Sequence, residues 1–349
     1  MSVARTLKKR PHQCKFALSK MRDTIEIGTA KAKPGTKATG HIYCGDLSDG
    51  SPINVPVMVL NGREDGPRLW CNALEDGDEY AGCVGLIEAT TELTPMVQRM
   101  RGALVAIPAV NITAFRGNPY GGGMRNSPCD LDQGLRFPRL YPGNPTGRFT
   151  EQAASIIHSY RTKYADYYIA LHGCQQMYGI DHVLLRVSDD RSLEMAKAFG
   201  MKTILKDVRH GPPAVGRIPQ IFGETYGGAG GIGNGFDGTA TRNGILNVMK
   251  WLGIIEGKPK FPEKYQFVQH VAGSSEIHTK RGGFFKSLVK VEERVKEGQE
   301  IGVVSDFFAE VVEKVKSPID GIVLGYWCAA PHIGSGQCMV FQIAVPIPE

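Results

Sequence analysis

The chain has 349 residues, 42% hydrophobic and 22% charged, with a formal net charge of +6. That length buries a large core, and the composition is that of an ordinary globular protein. The basic residues are spread out rather than gathered into a block interleaved with aromatics, which argues against nucleic-acid binding. No apolar run reaches bilayer-crossing length, which argues against a membrane protein. The eight cysteines (Cys14, Cys44, Cys71, Cys83, Cys129, Cys174, Cys328 and Cys338) form no CxxC pair, and no apolar signal core follows the basic N-terminus. A reducing compartment, the cytoplasm, is therefore expected.

In chain order, residues 1–55 read as an irregular lead-in that reaches a strand-like stretch around His41–Cys44. Val57–Leu60 and Arg68–Leu74 are short apolar runs separated by Asn61-Gly62 and Asp65-Gly66, a hairpin-like signal. Ala81–Met100 carries apolar residues at helical spacing (Val84, Ile87, Leu93, Met96, Val97), and Ala103–Pro108 reads as a buried strand. Residues 111–148 are dense in Gly, Pro, Asn and Arg, and an aperiodic stretch of that length within a domain is usually functional. Helical periodicity returns over Phe149–Tyr164, with Thr150 as a candidate cap. Strands are expected at Tyr167–Leu171, His182–Val187 and Met201–Leu205, and helices at Arg191–Phe199 and Thr239–Leu252. A Gly-rich stretch over 223–238 precedes the last helix. Its run Gly227–Gly233 lacks the GK[ST] ending of a phosphate loop. Alternating short strands and helices predict an α/β domain. From about 268 the chain turns to short Val- and Ile-rich runs broken by glycine, which predict a small β-rich module.

Asp76-Gly77-Asp78-Glu79 follows a strand-like run and precedes a helix, and His172 ends another strand-like run. The carboxyl ends of strands are where open α/β sheets place their chemistry. Asp76, Glu79 and His172 would supply three ligands to one divalent metal and leave a position open for water. Taken alone, the carboxylates read more readily as helix caps or first-turn acids, and His172 as a core histidine.

The segment Leu74-Glu-Asp-Gly-Asp-Glu-Tyr-Ala-Gly82 resembles the "HGDEYxG" box of the succinylglutamate desuccinylase/aspartoacylase family, zinc amidohydrolases related to the zinc carboxypeptidases. Further matches follow in order. Asn111 follows the next strand, Arg125 and Asp130-Leu131 resemble an "R-x4-D-L-N-R" element, and Leu171-His172-Gly173 resembles "D-L-H". Gly223-Glu224-Thr225 is similar to the region of the family's late catalytic glutamate. The helix ending Asn247–Gly253 and the β-rich tail are similar as well. The resemblance spans about residues 35–349.

It implies a zinc-carboxypeptidase-like mixed sheet flanked by helices over 51–257, after a lead-in over 1–50 and before a β-rich C-terminal domain over 258–349. It also implies a metal-dependent amidohydrolase that cleaves a small N-acylated amino acid or related amine by metal-activated water. Asp76, Glu79 and His172 would hold the ion, zinc or alternatively manganese. Glu224 would be general base and then acid, and Arg125 would polarise the scissile carbonyl. Asn111, Asp132, Gln133 and Arg136 are the candidates for binding substrate. A small molecule is the expected partner, with no nucleic acid or membrane, and a homo-oligomer is left open.

Three positions depart from the family pattern. Asp76 stands where the family has its first histidine ligand, Asp132-Gln133 stands for Asn-Arg, and Ala170 replaces the aspartate of "D-L-H". Aspartate remains a legitimate zinc ligand, and a carboxylate-rich shell favours harder metals such as manganese. Gln133 lacks the charge and fork of an arginine, so that site would prefer a neutral or cationic group unless Arg136 or Arg139 takes over the role. Two competing classes remain open: a small-molecule-binding protein on a decayed scaffold, and a hydrolase of an ester or cyclic amide.

Overall fold

A computed structural model of the chain describes residues 23–117, 135–173, 177–186, 189–207, 218–226, 237–327, 331–332 and 339–349. The segment expected as an irregular lead-in carries three strands there: β1 (Ile25–Ile27), β2 (Ala30–Ala32) and β3 (Thr36–Asp46). β3 contains the strand-like stretch expected at His41–Cys44, whereas the in–out alternations of β1 and β2 (Ile25 and Ile27, Ala30 and Ala32 inward) escape notice because each is only three residues long. β3 pairs antiparallel with β4 (Pro52–Asn61) along nearly its whole length, so it forms one edge of the main sheet.

The hairpin expected between β4 and β5 (Glu64–Ala73) does not form. β6 (Arg101–Ile107) inserts between them, antiparallel to β4 and parallel to β5. Gly62 permits this: its N–H donates to Gly102 O at 2.8 Å, and a Cβ there would lie 2.4 Å from Met100 O. The helical pattern beyond residue 80 divides into α1 (Tyr80–Leu93) and a 3-10 segment (Thr94–Arg99), because Pro95 cannot continue the α-helical hydrogen bonding.

Next come α2 (Ile112–Arg116), α3 (Phe149–Tyr164), β7 (Tyr167–Gly173), β8 (Met177–Gly179), β9 (His182–Leu185), α4 (Asp190–Phe199), β10 (Thr203–Lys206), β11 (Gln220–Thr225) and α5 (Thr239–Trp251). α3 begins where the sequence predicts, but Arg148, not Thr150, is its N-cap residue, and its N–H donates to Glu151 Oε2 at 2.9 Å. The interiors of the two glycine-rich segments expected at 111–148 and 223–238, residues 118–134 and 227–236, lie outside the described residues.

The last quarter of the chain supplies only strands among its described residues: β12 (Gln266–Gln269), β13 (Glu276–His278), β14 (Gly283–Ser287), β15 (Arg294–Val295), β16 (Glu300–Ser305), β17 (Val311–Lys316), β18 (Gly321–Trp327), β19 (Pro331–His332) and β20 (Met339–Pro346). The main sheet runs β15-β18-β20-β12-β10-β9-β11-β7-β5-β6-β4-β3, with β13 and β8 attached to its flank. Its centre is mostly parallel, whereas β3–β4, β4–β6, β9–β11 and β12–β20 are antiparallel. β14, β16, β17 and β19 form a separate four-stranded sheet.

α3 covers one face of the main sheet through Ala153, Ala154 and Ile157, and α1, α4 and α5 cover the other through Leu86, Met195 and Ile245. A strand covered on both faces must be apolar throughout, and all seven residues of β7 are buried. Alternate residues of β7 then serve different layers: Tyr168 and Ala170 face α3, while Ile169 and Leu171 face α1.

Candidate metal centre and active site

β5, β7 and β11 run parallel in adjacent positions, so their carboxyl ends open on the same edge of the sheet. The site gathers at that edge, as expected for an open α/β sheet. From the end of β5 the chain makes a tight turn through Leu74–Glu79 into α1. Leu74 adopts a left-handed backbone (φ 50°), a conformation costly for a branched side chain. The turn is pinned from β6 and α2: Val110 N–H donates to Ala73 O, Asn111 N–H to Leu74 O, and Asn111 Nδ2 to Glu75 O at 3.2 Å. Gly77 lets the turn press onto α2, where a Cβ would sit 2.5 Å from the Ala114 carbonyl carbon.

This turn brings Asp76, Glu79 and His172 together. All three are buried, and one donor atom of each lies within 4.8 Å of the others. Glu79 Oε2 stands 2.9 Å from His172 Nδ1. The N-cap residue of α1 is Glu79, and its side chain makes no cap bond. Both Asp76 oxygens face the Arg136 guanidinium, Oδ1 at 3.3 Å from Nε and Oδ2 in closer contact with Nη2. Each carboxylate oxygen has two lone pairs, so this pairing leaves Asp76 able to serve a metal as well.

Glu75, which sequence reasoning passed over, lies under the set. Its Oε2 is 3.2 Å from His172 Nε2, close enough for an ion pair but out of line for a good hydrogen bond. Its Oε1 accepts from Tyr168 OH at 2.9 Å, Asn72 Nδ2 at 3.0 Å and Tyr141 OH at 3.1 Å. Burial would push the Glu75 carboxyl up, but His172, Asn72 and Arg161 outweigh it and hold it at about 2. Burial likewise opposes charge on His172, yet Glu79, Glu75 and Glu224 raise its pKa well above the ordinary imidazole value. Carboxylates crowded around one imidazole call for a cation, whether a proton on the ring or a divalent ion between the oxygens. The donor set therefore fits a metal.

Glu224 lies on β11 in direct register with His172 on one side and His182 of β9 on the other. Residues directly opposite across a sheet share a face, so His172, Glu224 and His182 form one row at the carboxyl edge. Glu224 is half-buried. His182 Nδ1 donates to Ile180 O at 2.9 Å, and its ring stacks on Tyr226. Asn111 is buried and its side chain is engaged locally, accepting from Ala114 N–H to cap α2 and donating to Glu75 O. Arg139, near Arg136, has its pKa lowered by burial and then by the charges of Arg136 and Arg186. Arg125, Asp132 and Gln133 lie outside the described residues. Glu75 had one sequence signal, an extra acid directly after a buried strand; His182 had none.

Comparison with protein-family models finds no match. The solved structures nonetheless define the fold class. A succinylglutamate desuccinylase/aspartoacylase from Rhodobacter sphaeroides superposes with a TM-score of 0.75 at 22% identity, covering 90% of this chain and 96% of that one. The product-bound ectoine utilization protein of Ruegeria pomeroyi superposes at 0.74 with 20% identity, covering 88% and 94%. The chain thus has the succinylglutamate desuccinylase/aspartoacylase fold, the carboxypeptidase-like mixed sheet expected from its motifs. In sequence it is similar to the N-alpha-acetyl-L-2,4-diaminobutyric acid deacetylase of Halomonas elongata, 28% identical over 292 residues that cover 80% of this chain and 82% of that protein. Among the described residues, no helix is long and apolar enough to cross a membrane.

Proposed function

We propose that the protein is a metal-dependent amidohydrolase that removes an acyl group from a small N-acylated amino acid, with Nα-acetylated diamino acids as the first substrates to try. The observation that carries this reading is the meeting of Asp76, Glu79 and His172 at the carboxyl ends of parallel strands, with Glu224 next in the same row. The similarity to a deacetylase over four-fifths of the chain supports an amide as the scissile bond.

Asp76, Glu79 and His172 would hold one divalent ion, zinc by analogy with the fold family. Such an ion polarises a carbonyl and makes water more acidic. Glu224 takes the proton from the attacking water and delivers it to the leaving amine, as its place beside His172 allows. Arg136, turned onto Asp76, steadies that carboxylate and offsets the negative charge that an aspartate brings to a position usually held by histidine. Arg139, whose charge lies near those of Arg136 and Arg186, is assigned to a substrate carboxylate, since Arg186 is already paired with Asp207. Arg125 is assigned to the scissile carbonyl, and Asp132 and Gln133 to the amino acid's own side chain; Gln133 suits a neutral or cationic group. The free thiols of Cys44, Cys71 and Cys83 are in keeping with a cytoplasmic protein.

The test combines metal analysis with a panel of Nα-acetyl amino acids, lactams and esters. A stoichiometric divalent ion that is lost in Asp76→Ala and His172→Ala, with amide cleavage reduced about 10²–10⁴-fold in Glu224→Gln while the ion is retained, is the expected result. Turnover of esters alone, or a metal-free active protein, would overturn it.

A further inference from the structure

Tyr168, Ala170 and His172 alternate onto one face of β7, the face turned towards α3. Glu75 reaches across this face. Its Oε1 accepts from Tyr168 OH at 2.9 Å and its Oε2 lies 3.2 Å from His172 Nε2, so the carboxylate bridges the two residues that flank Ala170. Ala170 is fully buried and offers only a methyl group there. It is also the position at which the "D-L-H" element would carry an aspartate, which would place a carboxylate on this same face beside His172.

We infer that Glu75 is the positioning residue for His172, a carboxylate supplied by the metal turn in place of one on β7, with Ala170 leaving the room it occupies. The inference rests on the metal-centre reading above.

The imidazole has two nitrogens with different neighbours. Nδ1 faces Glu79, a fellow candidate ligand, and Nε2 faces Glu75. The negative charge of a carboxylate 3.2 Å from Nε2 favours the tautomer with its proton on that nitrogen, which leaves the Nδ1 lone pair for an ion. Glu75 itself is held from several elements. Besides Tyr168, its Oε1 accepts from Asn72 of β5 and from Tyr141. The Asn72 Oδ1 in turn accepts from Trp70 Nε1 at 2.6 Å. The Arg161 guanidinium of α3, itself buried, lies 4.1 Å from the Tyr141 ring centre and 4.5 Å from that of Tyr168. A fully buried carboxylate is an expensive way to fill a core. Aimed at one nitrogen of a metal-binding histidine, it has a reason to be there.

The three donors on Oε1 also predict what an amide would do. In Glu75→Gln the amide oxygen must stay on Tyr168, Asn72 and Tyr141, so its NH₂ group faces His172 Nε2. That nitrogen then becomes an acceptor, the proton moves to Nδ1, and the lone pair meant for the ion is lost.

The experiment measures zinc affinity of the purified full-length protein by competition with a chromophoric chelator, and the visible spectrum of the cobalt-loaded form. It compares wild type, Glu75→Gln, Glu75→Ala, Ala170→Asp and the double variant Glu75→Ala/Ala170→Asp, with circular dichroism as the folding control. Glu75→Gln is expected to bind zinc about 10–100-fold more weakly with an altered cobalt spectrum. The double variant is expected to recover most of the affinity lost in Glu75→Ala, whereas Ala170→Asp alone crowds Glu75 and gains nothing. A folded Glu75→Gln protein with wild-type zinc affinity and cobalt spectrum overturns the inference and leaves the proposed function standing. So does a folded double variant no better than Glu75→Ala. A wild-type protein that binds no zinc or cobalt overturns both.

Discussion

At the scale of single residues, the site is defined by which atom each charged group spends on which neighbour. Arg136 was a candidate reader of substrate, but both Asp76 oxygens face its guanidinium, and Arg186 pairs with the buried Asp207, so the proposed contact to a substrate carboxylate falls to Arg139. Replacing Arg139 with Gln should raise KM for an N-acyl amino acid roughly tenfold or more with little change in kcat, since it removes a charge-assisted contact made equally in ground and transition states. Steady-state kinetics on the acid and its amide decide this: an equal effect on both substrates would contradict the role. The cysteines give a second check. Burial pushes the Cys44 thiol up to about 12, Cys83 to about 11, and Cys71 higher still. At pH 8 their thiolate fractions are on the order of one part in a thousand or less, so native protein should resist iodoacetamide at all three positions for hours. Peptide mapping by mass spectrometry reads this directly, and rapid labelling of Cys44 or Cys71 before unfolding would refute the packing described.

At the scale of elements, the metal turn is held by what lies behind it. α1 carries Glu79 at its start and packs closely on α5 through Gly85, where a Cβ would lie 2.4 Å from Gly238 O and 2.6 Å from Thr241 Cβ. Two effects oppose one another in Gly85→Ala. Helix propensity favours alanine by about 0.5–1 kcal/mol, while overpacking costs about 1–3 kcal/mol, and the contact here is against backbone that cannot rotate aside. The variant should therefore be less stable by about 1–2 kcal/mol in urea unfolding. It should also bind metal less tightly, because α1 can relieve the clash only by shifting Glu79. Unchanged or increased stability would show that the two helices have room to separate. The hairpin reading of β4 and β5 failed at this same scale. Turn residues mark where a chain may reverse, but β6, which follows only after α1, took the place between the two strands.

At the scale of the molecule, one sheet connects the parts that the sequence divides at residue 257. β12 pairs parallel with β10, β20 pairs with β12, and β18 reaches back to β8 beside the active-site strands. A chain ending at 257 would leave β10 as an unprotected edge, and exposed edges of buried strands promote association. The prediction is that such a fragment is recovered only as aggregate. A monodisperse, folded and zinc-binding fragment in size-exclusion chromatography would show instead that the β-rich part is an independent unit.

Much of this was legible in the chain itself. Periodicity located α3, α4 and α5, and uninterrupted apolar runs located β6 and β7, each to within a few residues. Motif order gave the fold class, and spacing put Asp76 and Glu79 in one turn. The sequence could not show that Asp76 would face Arg136, sixty positions away, or that Glu75 would sit between His172 and two tyrosines drawn from different elements. It could not align His172, Glu224 and His182 in one row either, since register across β7, β11 and β9 is fixed by the packing of both faces of the sheet. Local order follows from residues a few positions apart and is written in the chain. The partner of a buried charge is settled only when distant segments are brought together without water between them.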